Sequence, residues 1–566
     1  MRYWKALAFC RDHFEINQWQ SVSLDTLATA LCCTRRNAQL LVRRLTQEQT
    51  LDWQPGVGRG NLPRARLKKP IEDRLVTKAN RLLEEGKVES ALQLIPETQR
   101  DAFIASYVAR YQNQAQSTHI LQVPFYRATH SLDPIAINRR TEHHIASYLY
   151  ATLLRYDPIR DHWHGDLAHS WYQSGDTLDV VLRKGLRFHD GSVLNAADVV
   201  AHFERLIASE SGNRALFDCI DRVEILSPDR LRFVSQRMPA LLPKLLADGA
   251  MGITKLSHGQ LLGSGPFALA EQTERRTLLH RFADYHGYRP WIDGIEIWNV
   301  GAHAKDFALN SDVVHGVHLR GKARAGYQIC QQWERGCEYL MLNPSRHPWL
   351  KKHAHRQALQ HLATCLQPPQ HLLDEELAKA KGMLSQPETL TAPEPLDLEA
   401  LFGPLTRPAE PLKILTYQLE THITLARMLA YALQARGIPC DWQVLSFPDF
   451  NCRLRQSQAD ILISGEVFGD DTEMSWLSWL MCTHSLSVCL SSRERTWLQT
   501  QIERVMNRET LAQRLRGFAQ IEKKLIDKGV YQPLYHVRQE LNVSDRLTTT
   551  ELLANGWIDF NQVVMQ

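Results

Sequence analysis

The sequence predicts an α/β protein that carries a small, mostly helical domain at its N-terminus. Its 566 residues exceed what one compact core usually holds, so more than one domain is expected. Residues 1–69 show helical periodicity, whereas the later chain alternates strand-like and helix-like segments. Hydrophobic residues make up 44% and charged residues 23%, which is typical of a folded globular chain.

Charge is distributed unevenly along the chain. The whole sequence has a net charge of +4, but residues 1–69 hold twelve Lys and Arg against five Asp and Glu, a net of +7. The remaining 497 residues therefore sum to −3. A basic segment attached to a mildly acidic body predicts a module that binds a polyanion.

Two closely spaced helices are predicted inside the basic segment, after a first helix around Tyr3 and Leu7. Ser23 is a suitable cap for four apolar positions at helical spacing, namely Leu24, Leu27, Ala28 and Leu31. Thr34 is a suitable cap for a second set, namely Ala38, Leu41, Val42 and Leu45. Since only Cys32 and Cys33 separate them, the two helices predict a helix-turn-helix.

The exposed face of the second of these two helices has residue types suited to reading DNA bases. Arg bonds guanine and Asn or Gln bonds adenine in the major groove, and the first turn contains Arg35, Arg36, Asn37 and Gln39. Arg43 and Arg44 lie further along, where phosphate contact is expected. A Gly-rich turn with Arg59, followed by Arg64, predicts a wing. The alternatives are a helical domain with a solvated basic face, and a nucleotide loop at 56–60, which lacks the phosphate-loop pattern.

Residues 70–117 predict a helical connector, with Leu83 and Leu92 in a pattern that resembles a helical-repeat hairpin. Beyond it, the clearest β-α-β unit has strand-like runs at 412–417, 442–445 and 460–463. The helix after the first run ends at Gly437 and places four apolar residues on one face: Ala426, Leu429, Ala430 and Leu433. An α/β sheet of this kind binds ligands at a cleft.

Several classes of protein are not favoured by the sequence. No apolar run is long enough for a membrane helix, and the first 17 residues lack a signal-peptide core, so we expect a cytoplasmic protein without membrane contact. The 11 cysteines and 24 histidines show no recognised metal-ligand spacing, so neither a metal nor another cofactor is expected. The common hydrolase, metalloprotease and phosphate-loop motifs are missing, so we do not expect an enzyme.

Seven segments in order resemble the extracellular solute-binding proteins of family 5, the oligopeptide and dipeptide type. The longest is KGLRFHDGSVLNAADVV at 184–200, and the others lie at 263–267, 284–290, 292–296, 339–343, 356–359 and 533–536. The resemblance implies a type II periplasmic-binding-protein-like domain over 118–566. Its first lobe would take about 118–342 and 529–566, and its second about 343–528. These motifs also have a purely structural explanation. Asp190 and Gly191 would make a turn before a helix that begins at Asn195. Gly263, Gly265 and Pro266 would set a tight backbone path.

The order of winged helix-turn-helix, helical connector and family 5 domain resembles the SgrR family of transcription regulators, as do TRR at 34–36, GVGRG at 56–60 and TEHHI at 141–145. The resemblance implies an activator that binds double-stranded promoter DNA, senses a small molecule in sugar-phosphate stress, activates a small-RNA gene and contacts RNA polymerase. The alternative is the solute- or peptide-binding component of an ABC uptake system.

The ligand is expected to be a sugar phosphate, a related metabolite or a peptide. In peptide-binding relatives an Asp near the cleft meets the ligand ammonium, and the corresponding stretch here is 466–471. It keeps its acids but lacks the expected Trp and Tyr, which weakens the case for a peptide. The candidate ligand-binding residues are Tyr126, Trp442, Asp470 and Asp471.

Overall fold

The computed structural model describes residues 1–56, 61–85, 87–111, 119–158, 160–301, 311–316, 325–366, 377–390, 402–403, 405–548 and 552–566. Its N-terminal part packs three helices against a three-stranded antiparallel sheet of order β1-β3-β2. The elements are α1 (Arg2–His13), β1 (Gln20–Ser21), α2 (Leu24–Ala30), α3 (Arg35–Gln47), β2 (Leu51–Gln54) and β3 (Arg64–Leu67). The predicted helix-turn-helix and the two strands of the wing are confirmed.

The helical connector packs on this N-terminal part. It contains α4 (Glu72–Glu84), α5 (Val88–Leu92), a 3₁₀ turn (Glu97–Gln99) and α6 (Arg100–Tyr111). One hydrophobic core runs from Ala6 to Val108 and continues into the large domain through Trp298, Val300 and Val314. The Tyr107 and Trp298 ring centroids are 6.1 Å apart. The N-terminal part, the connector and one edge of the large domain are therefore joined by a shared core.

The first lobe contains two four-stranded sheets, of order β13-β14-β15-β4 and β7-β8-β10-β9. Its elements up to residue 251 are β4 (Ile120–Phe125), α7 (Arg140–Leu149), β5 (Leu154–Asp157), β6 (His162–Gly165), β7 (Ala168–Ser174), β8 (Thr177–Leu182), α8 (Ala196–Ala208), α9 (Arg214–Phe217), β9 (Arg222–Ser227), β10 (Arg230–Val234), α10 (Leu242–Ala247) and 3₁₀ turns at Pro239–Leu241 and Gly249–Met251. Seven further strands follow: β11 (Lys255–Ser257), β12 (Gln260–Leu262), β13 (Phe267–Gln272), β14 (Arg276–Arg281), β15 (Gly294–Asn299), β16 (Val313–His315) and β17 (Tyr327–Trp333).

Two glycine-containing motifs of this lobe shape the backbone, as expected. Gly191 has a φ of +81°, and its turn leads into α8, which Asn195 caps. A Cβ atom on Gly263 would lie 2.0 Å from the Leu149 carbonyl oxygen, and one on Gly265 would lie 2.3 Å from that of Tyr148. Only glycine fits at these two positions, which brings the 263–265 backbone against the end of α7.

The second lobe is built on the larger part of a sheet of order β16-β23-β18-β22-β20-β21, to which the first lobe contributes β16 and β17; both β17 and β19 pair with β23. Its elements are β18 (Gly336–Leu342), a 3₁₀ turn (Pro348–Lys351), α11 (His353–Cys365), β19 (Leu377–Lys379), β20 (Leu412–Tyr417), α12 (Glu420–Gln434), β21 (Cys440–Leu445), α13 (Phe447–Phe450), α14 (Arg453–Ser457), β22 (Ile461–Val467), α15 (Thr472–Cys482), α16 (His484–Cys489), α17 (Ser492–Met506) and α18 (Leu511–Asp527). Since β20 is parallel to both β21 and β22, the predicted β-α-β unit is confirmed.

The lobes are joined by one long strand, β23 (Tyr531–Ser544), after which the chain adds β24 (Leu547–Thr548) and β25 (Val564–Met565). Residues 531–535 of β23 pair with β18, which also pairs with β22 of the second lobe. Residues 538–544 pair with β17 of the first lobe. The chain therefore crosses between the lobes near Glu334 and Val537, whereas the predicted crossings lay near 342 and 529.

Candidate functional site

A tight turn orients α3 as the second helix of the helix-turn-helix. Thr34 Oγ1 accepts a hydrogen bond from the Asn37 backbone N–H at 3.3 Å, which confirms the predicted cap. In the turn, Cys32 has a φ of +46°, and the Cys33 backbone N–H donates to the Ala28 carbonyl at 3.0 Å. The buried face of α3 consists of Ala38, Val42 and Leu45. Leu41, predicted for the same face, is half-buried against the core.

The opposite face of α3 is exposed and basic. Arg35 lies 3.5 Å from Asp25, but about two thirds of each side chain is exposed, so this pair is weak. No hydrogen bond or ion pair joins the Arg36 or Arg43 guanidinium to another described residue. Gln39 is also exposed. These side chains are therefore available to a ligand outside the protein.

Arg44 differs from its neighbour Arg43, because internal contacts hold it. Its Nε lies 2.9 Å from a Glu48 carboxylate oxygen, and its guanidinium lies 4.3 Å from the Tyr3 ring centroid. The Tyr3 hydroxyl donates to Glu48 and accepts a hydrogen bond from Arg74 at 2.8 Å. The hydrogen bond from Tyr3, together with Arg44, holds the pKa of Glu48 below its usual value.

The wing adds one exposed arginine within the described residues. Arg64 begins β3 and is exposed. Arg66 is turned inward, since its Nε donates to Asp52 at 3.0 Å and its guanidinium lies 4.7 Å from the Trp19 ring centroid. Arg59 lies outside the described residues.

A second candidate site lies between the lobes, where β20 ends. Ligands of α/β sheets bind beyond the carboxyl ends of the strands, and Tyr417 is the last residue of β20. The Arg139 side chain approaches from the first lobe, so that its guanidinium lies 4.1 Å from the Phe447 ring centroid and 6.0 Å from that of Tyr417. Side chains of both lobes therefore meet at this point.

The neighbouring arginines are paired with carboxylates. Arg127 holds Glu142 through two hydrogen bonds of 2.6 and 3.0 Å. Burial opposes ionisation of Glu142, but Arg127 outweighs it and keeps the pKa of this carboxyl below its usual value. Arg140 of the first lobe donates a hydrogen bond of 2.5 Å to Glu334, which lies in the segment that leads into the second lobe.

A buried carboxyl and a buried imidazole touch beside these pairs. His422 Nε2 contacts Glu338, and neither side chain is more than 8% exposed. Burial, with Glu334 nearby, raises the pKa of Glu338 well above its usual value, and burial, with Arg139 nearby, lowers the pKa of His422 to about 3. At neutral pH Glu338 is therefore protonated and His422 unprotonated, so that neither side chain is charged.

The four predicted ligand-binding residues are not gathered at one point. Tyr126 is half-buried, and its ring centroid lies 5.8 Å from the Arg127 guanidinium. Trp442 lies within the edge strand β21 and is 38% exposed. Asp471 caps α15 and forms an ion pair with Lys244 of the first lobe at 2.7 Å. Asp470 accepts a hydrogen bond from the Ala554 backbone at 3.2 Å. Their role in ligand binding stays a prediction.

The prediction missed Arg139, Tyr417 and the Glu338–His422 pair. Adjacent arginines at 139 and 140, where helix α7 begins, are the only signal in the sequence. The second-lobe residues that these arginines contact lie about 200 to 300 positions later in the chain, and no local sequence pattern shows that they come together.

The fold and the two sites define a class of protein in which a winged helix-turn-helix is joined to a two-lobed solute-binding domain. Residues 7–117 match the family model described as sugar transport-related sRNA regulator N-term. Residues 162–363 match that of the bacterial extracellular solute-binding proteins, family 5 middle. The two matches follow one another in the order read from the sequence, and they confirm the resemblance of this chain to the SgrR family.

Two relatives match this chain over nearly its full length, and a solved structure matches most of it. An uncharacterized Escherichia coli protein, YbaE, is 25% identical over 96% of this chain and 95% of its own. The HTH-type transcriptional regulator SgrR of Photorhabdus laumondii is 24% identical over 95% of this chain and 94% of its own. The solved structure of the periplasmic binding protein DppA from Helicobacter pylori with a peptide superposes with a TM-score of 0.65 at 15% identity, covering 81% of this chain and 100% of that one.

Neither a membrane-spanning helix nor a metal site is found in the described part of the chain. None of its helices combines the length and apolar character needed to cross a membrane. None of its groups of three or more His, Cys, Asp and Glu side chains is arranged to hold a metal ion.

Proposed function

We propose that the chain is a ligand-responsive transcription regulator that binds promoter DNA through its winged helix-turn-helix. The observation that carries this proposal is the exposed face of α3, where the Arg36 and Arg43 guanidinium groups have no hydrogen-bond or ion-pair partner among the described residues. Such a face is suited to the major groove, because arginine bonds guanine edges and phosphates. The SgrR relative from Photorhabdus, named an HTH-type transcriptional regulator, supports the proposal.

The basic residues divide into two roles in this proposal. The first turn of α3 reads base edges through Arg35, Arg36, Asn37 and Gln39. Phosphate contacts come from Arg43, Arg44, Arg59 and Arg64. We expect Arg44 to contribute least, because Glu48 and Tyr3 already hold it. The DNA-binding unit is assigned to residues 1–69, the connector to 70–117 and the sensor to 118–566.

The two-lobed domain acts as the sensor in this proposal. A small molecule bound between the lobes changes DNA binding only if its affinity differs between the open and closed states. The continuous core from Ala6 to Val314 provides a physical connection between the first lobe and the DNA-binding unit. Regulation of this kind requires sensor and DNA in one compartment, which for a bacterial promoter is the cytoplasm, and contact with RNA polymerase completes the activator model.

The second candidate function is solute capture for an uptake system. The likeness to the peptide-bound DppA structure favours it for the lobes alone. It gives no role to the basic face of α3, so a DNA-binding measurement separates the two functions.

The test uses the full-length chain and a library of random DNA duplexes. We expect selection to enrich one motif, and Arg36→Ala and Gln39→Ala to weaken binding to it, by about 1–3 kcal/mol for a lost base contact. Arg214→Ala is the matched control, because Arg214 is an exposed arginine of the first lobe with a single surface ion pair. Enrichment of no motif, or equal affinity of all variants, would refute the proposal.

A further inference from the structure

Arg139 is a partly buried cation without a counter-ion among the described residues. Its Nη1 atom is shielded from solvent and has no hydrogen-bond partner in the part of the chain that the structure describes. Burial, with Arg127 nearby, lowers the pKa of Arg139 below its usual value. A buried charge that lacks a partner is strongly unfavourable, so binding of an anion beside Arg139 would be favourable.

The nearby acids are already engaged. Glu142 accepts hydrogen bonds from both ends of the Arg127 guanidinium and from the His130 backbone N–H. Glu334 accepts from Arg140 at 2.5 Å and from Gln539 at 2.6 Å.

The third nearby acid, Glu338, adds no negative charge. Burial raises the pKa of Glu338 and lowers that of His422, which touches it, so that both side chains are uncharged at neutral pH. The pairs Arg127–Glu142 and Arg140–Glu334 each sum to zero as well, so the Arg139 guanidinium is the one uncompensated charge among these groups.

The position of Arg139 favours an anion in two further ways. Arg139 is the N-cap residue of the ten-residue helix α7, whose N-terminal end has the positive end of the helix dipole. Its guanidinium also faces the Phe447 ring of the second lobe at 4.1 Å, with Tyr417 beyond. Separation of the lobes would uncover the guanidinium, and closure over an anion would enclose it between them.

We propose that Arg139 holds the oxyanion, a phosphate or a carboxylate, of a small organic ligand at the lobe interface, with Phe447 and Tyr417 packing against the organic part. This inference rests on the proposed sensor function and names the chemical class of its ligand. It also gives a physical link to lobe closure, because the anion neutralises a charge that the closed lobes otherwise bury unpaired.

The test measures thermal stability of the full-length chain in chloride buffer with added inorganic phosphate or acetate, at matched ionic strength. We expect at least one probe to raise the Tm of the wild type in a concentration-dependent way. Arg139→Gln should raise the apparent Kd for that probe about 10-fold or more, since a hydrogen bond to a charged group is lost. Without probe, Arg139→Gln should be no less stable than the wild type. A response to phosphate alone assigns a phosphate, and one to acetate alone assigns a carboxylate.

Arg214→Gln is the control, because it also removes a first-lobe arginine but one that is exposed, so its response to the probe should equal that of the wild type. Equal responses of the wild type and Arg139→Gln, or no response of the wild type to either probe, would overturn the anion site. DNA affinity measured on the same proteins separates this outcome from failure of the proposed function, since an intact helix α3 would still bind DNA if only the anion site were wrong.

Discussion

Arg43 and Arg44 are adjacent arginines on one helix, and the structure predicts opposite consequences for their replacement by alanine. Arg43 is exposed, and its guanidinium has no internal partner among the described residues. Arg44 forms an ion pair with Glu48 at 2.9 Å and stacks on Tyr3. The first residue is therefore available to DNA, whereas the second stabilises the packing of α1 against α3.

The magnitudes follow from these contacts. Loss of one phosphate contact at Arg43 should lower the dependence of log affinity on log salt by about 0.9 and leave stability unchanged. For Arg44, the exposed ion pair contributes about 0.3–0.5 kcal/mol and the cation–π contact about 0.5–1 kcal/mol. Arg44→Ala should therefore destabilise the N-terminal part by about 1 kcal/mol, with a smaller change in the salt dependence of DNA binding.

Fluorescence anisotropy with a labelled duplex at several salt concentrations measures the first effect, and urea unfolding of the full-length chain measures the second. The two alanine variants serve as controls for each other, because they remove the same side chain one position apart. A larger loss of salt dependence for Arg44→Ala than for Arg43→Ala would refute the reasoning from internal pairing.

Three further predictions concern stability. Thr34→Ala should cost about 1 kcal/mol through the lost N-cap, whereas Thr34→Ser should retain it, as urea unfolding would measure. Burial lowers the pKa of His202 to about 4, so between pH 6.5 and pH 4 the unfolded chain takes up a proton that the folded chain does not. The free energy of unfolding should therefore fall by up to about 1.4 kcal/mol per pH unit over this range. His202→Gln should remove this contribution to the pH dependence. Lys244→Met should cost roughly 3 kcal/mol, because Lys244 is 10% exposed and pairs with Asp471 across the lobes.

Each of these has a clear contrary result. An equal loss for Thr34→Ser would show that the hydroxyl is not what caps α3. An unchanged pH slope in His202→Gln would show that this imidazole is not held neutral by burial. A neutral Lys244→Met would show that the ion pair does not hold the lobes together.

Local chemistry explains which parts of the fold the sequence could predict. Ser23 and Thr34 cap helices through hydrogen bonds that span three residues, so their pattern is visible in the sequence. Strand β20 and the buried face of α12 follow from apolar spacing alone. The Arg35 and Arg36 positions follow equally, because exposure on α3 is the complement of its buried face.

Long-range packing determines the rest. The Tyr3 ring under Arg44 and the Phe447 ring beside Arg139 lie about 40 and about 300 positions away in the chain, so neither contact is visible in the sequence. Strand β23 serves both lobes because its two halves pair with different strands, which depends on how the sheets meet.

The central claim, that this chain recognises a particular DNA sequence, is tested most directly by one specificity ratio. The measurement compares the Kd of the full-length chain for its selected duplex with the Kd for a shuffled duplex of the same composition, at physiological salt. The account predicts that the selected duplex binds about 10³-fold tighter or more. Equal affinity for the two duplexes would contradict it, because charge attraction alone would then account for all of the binding.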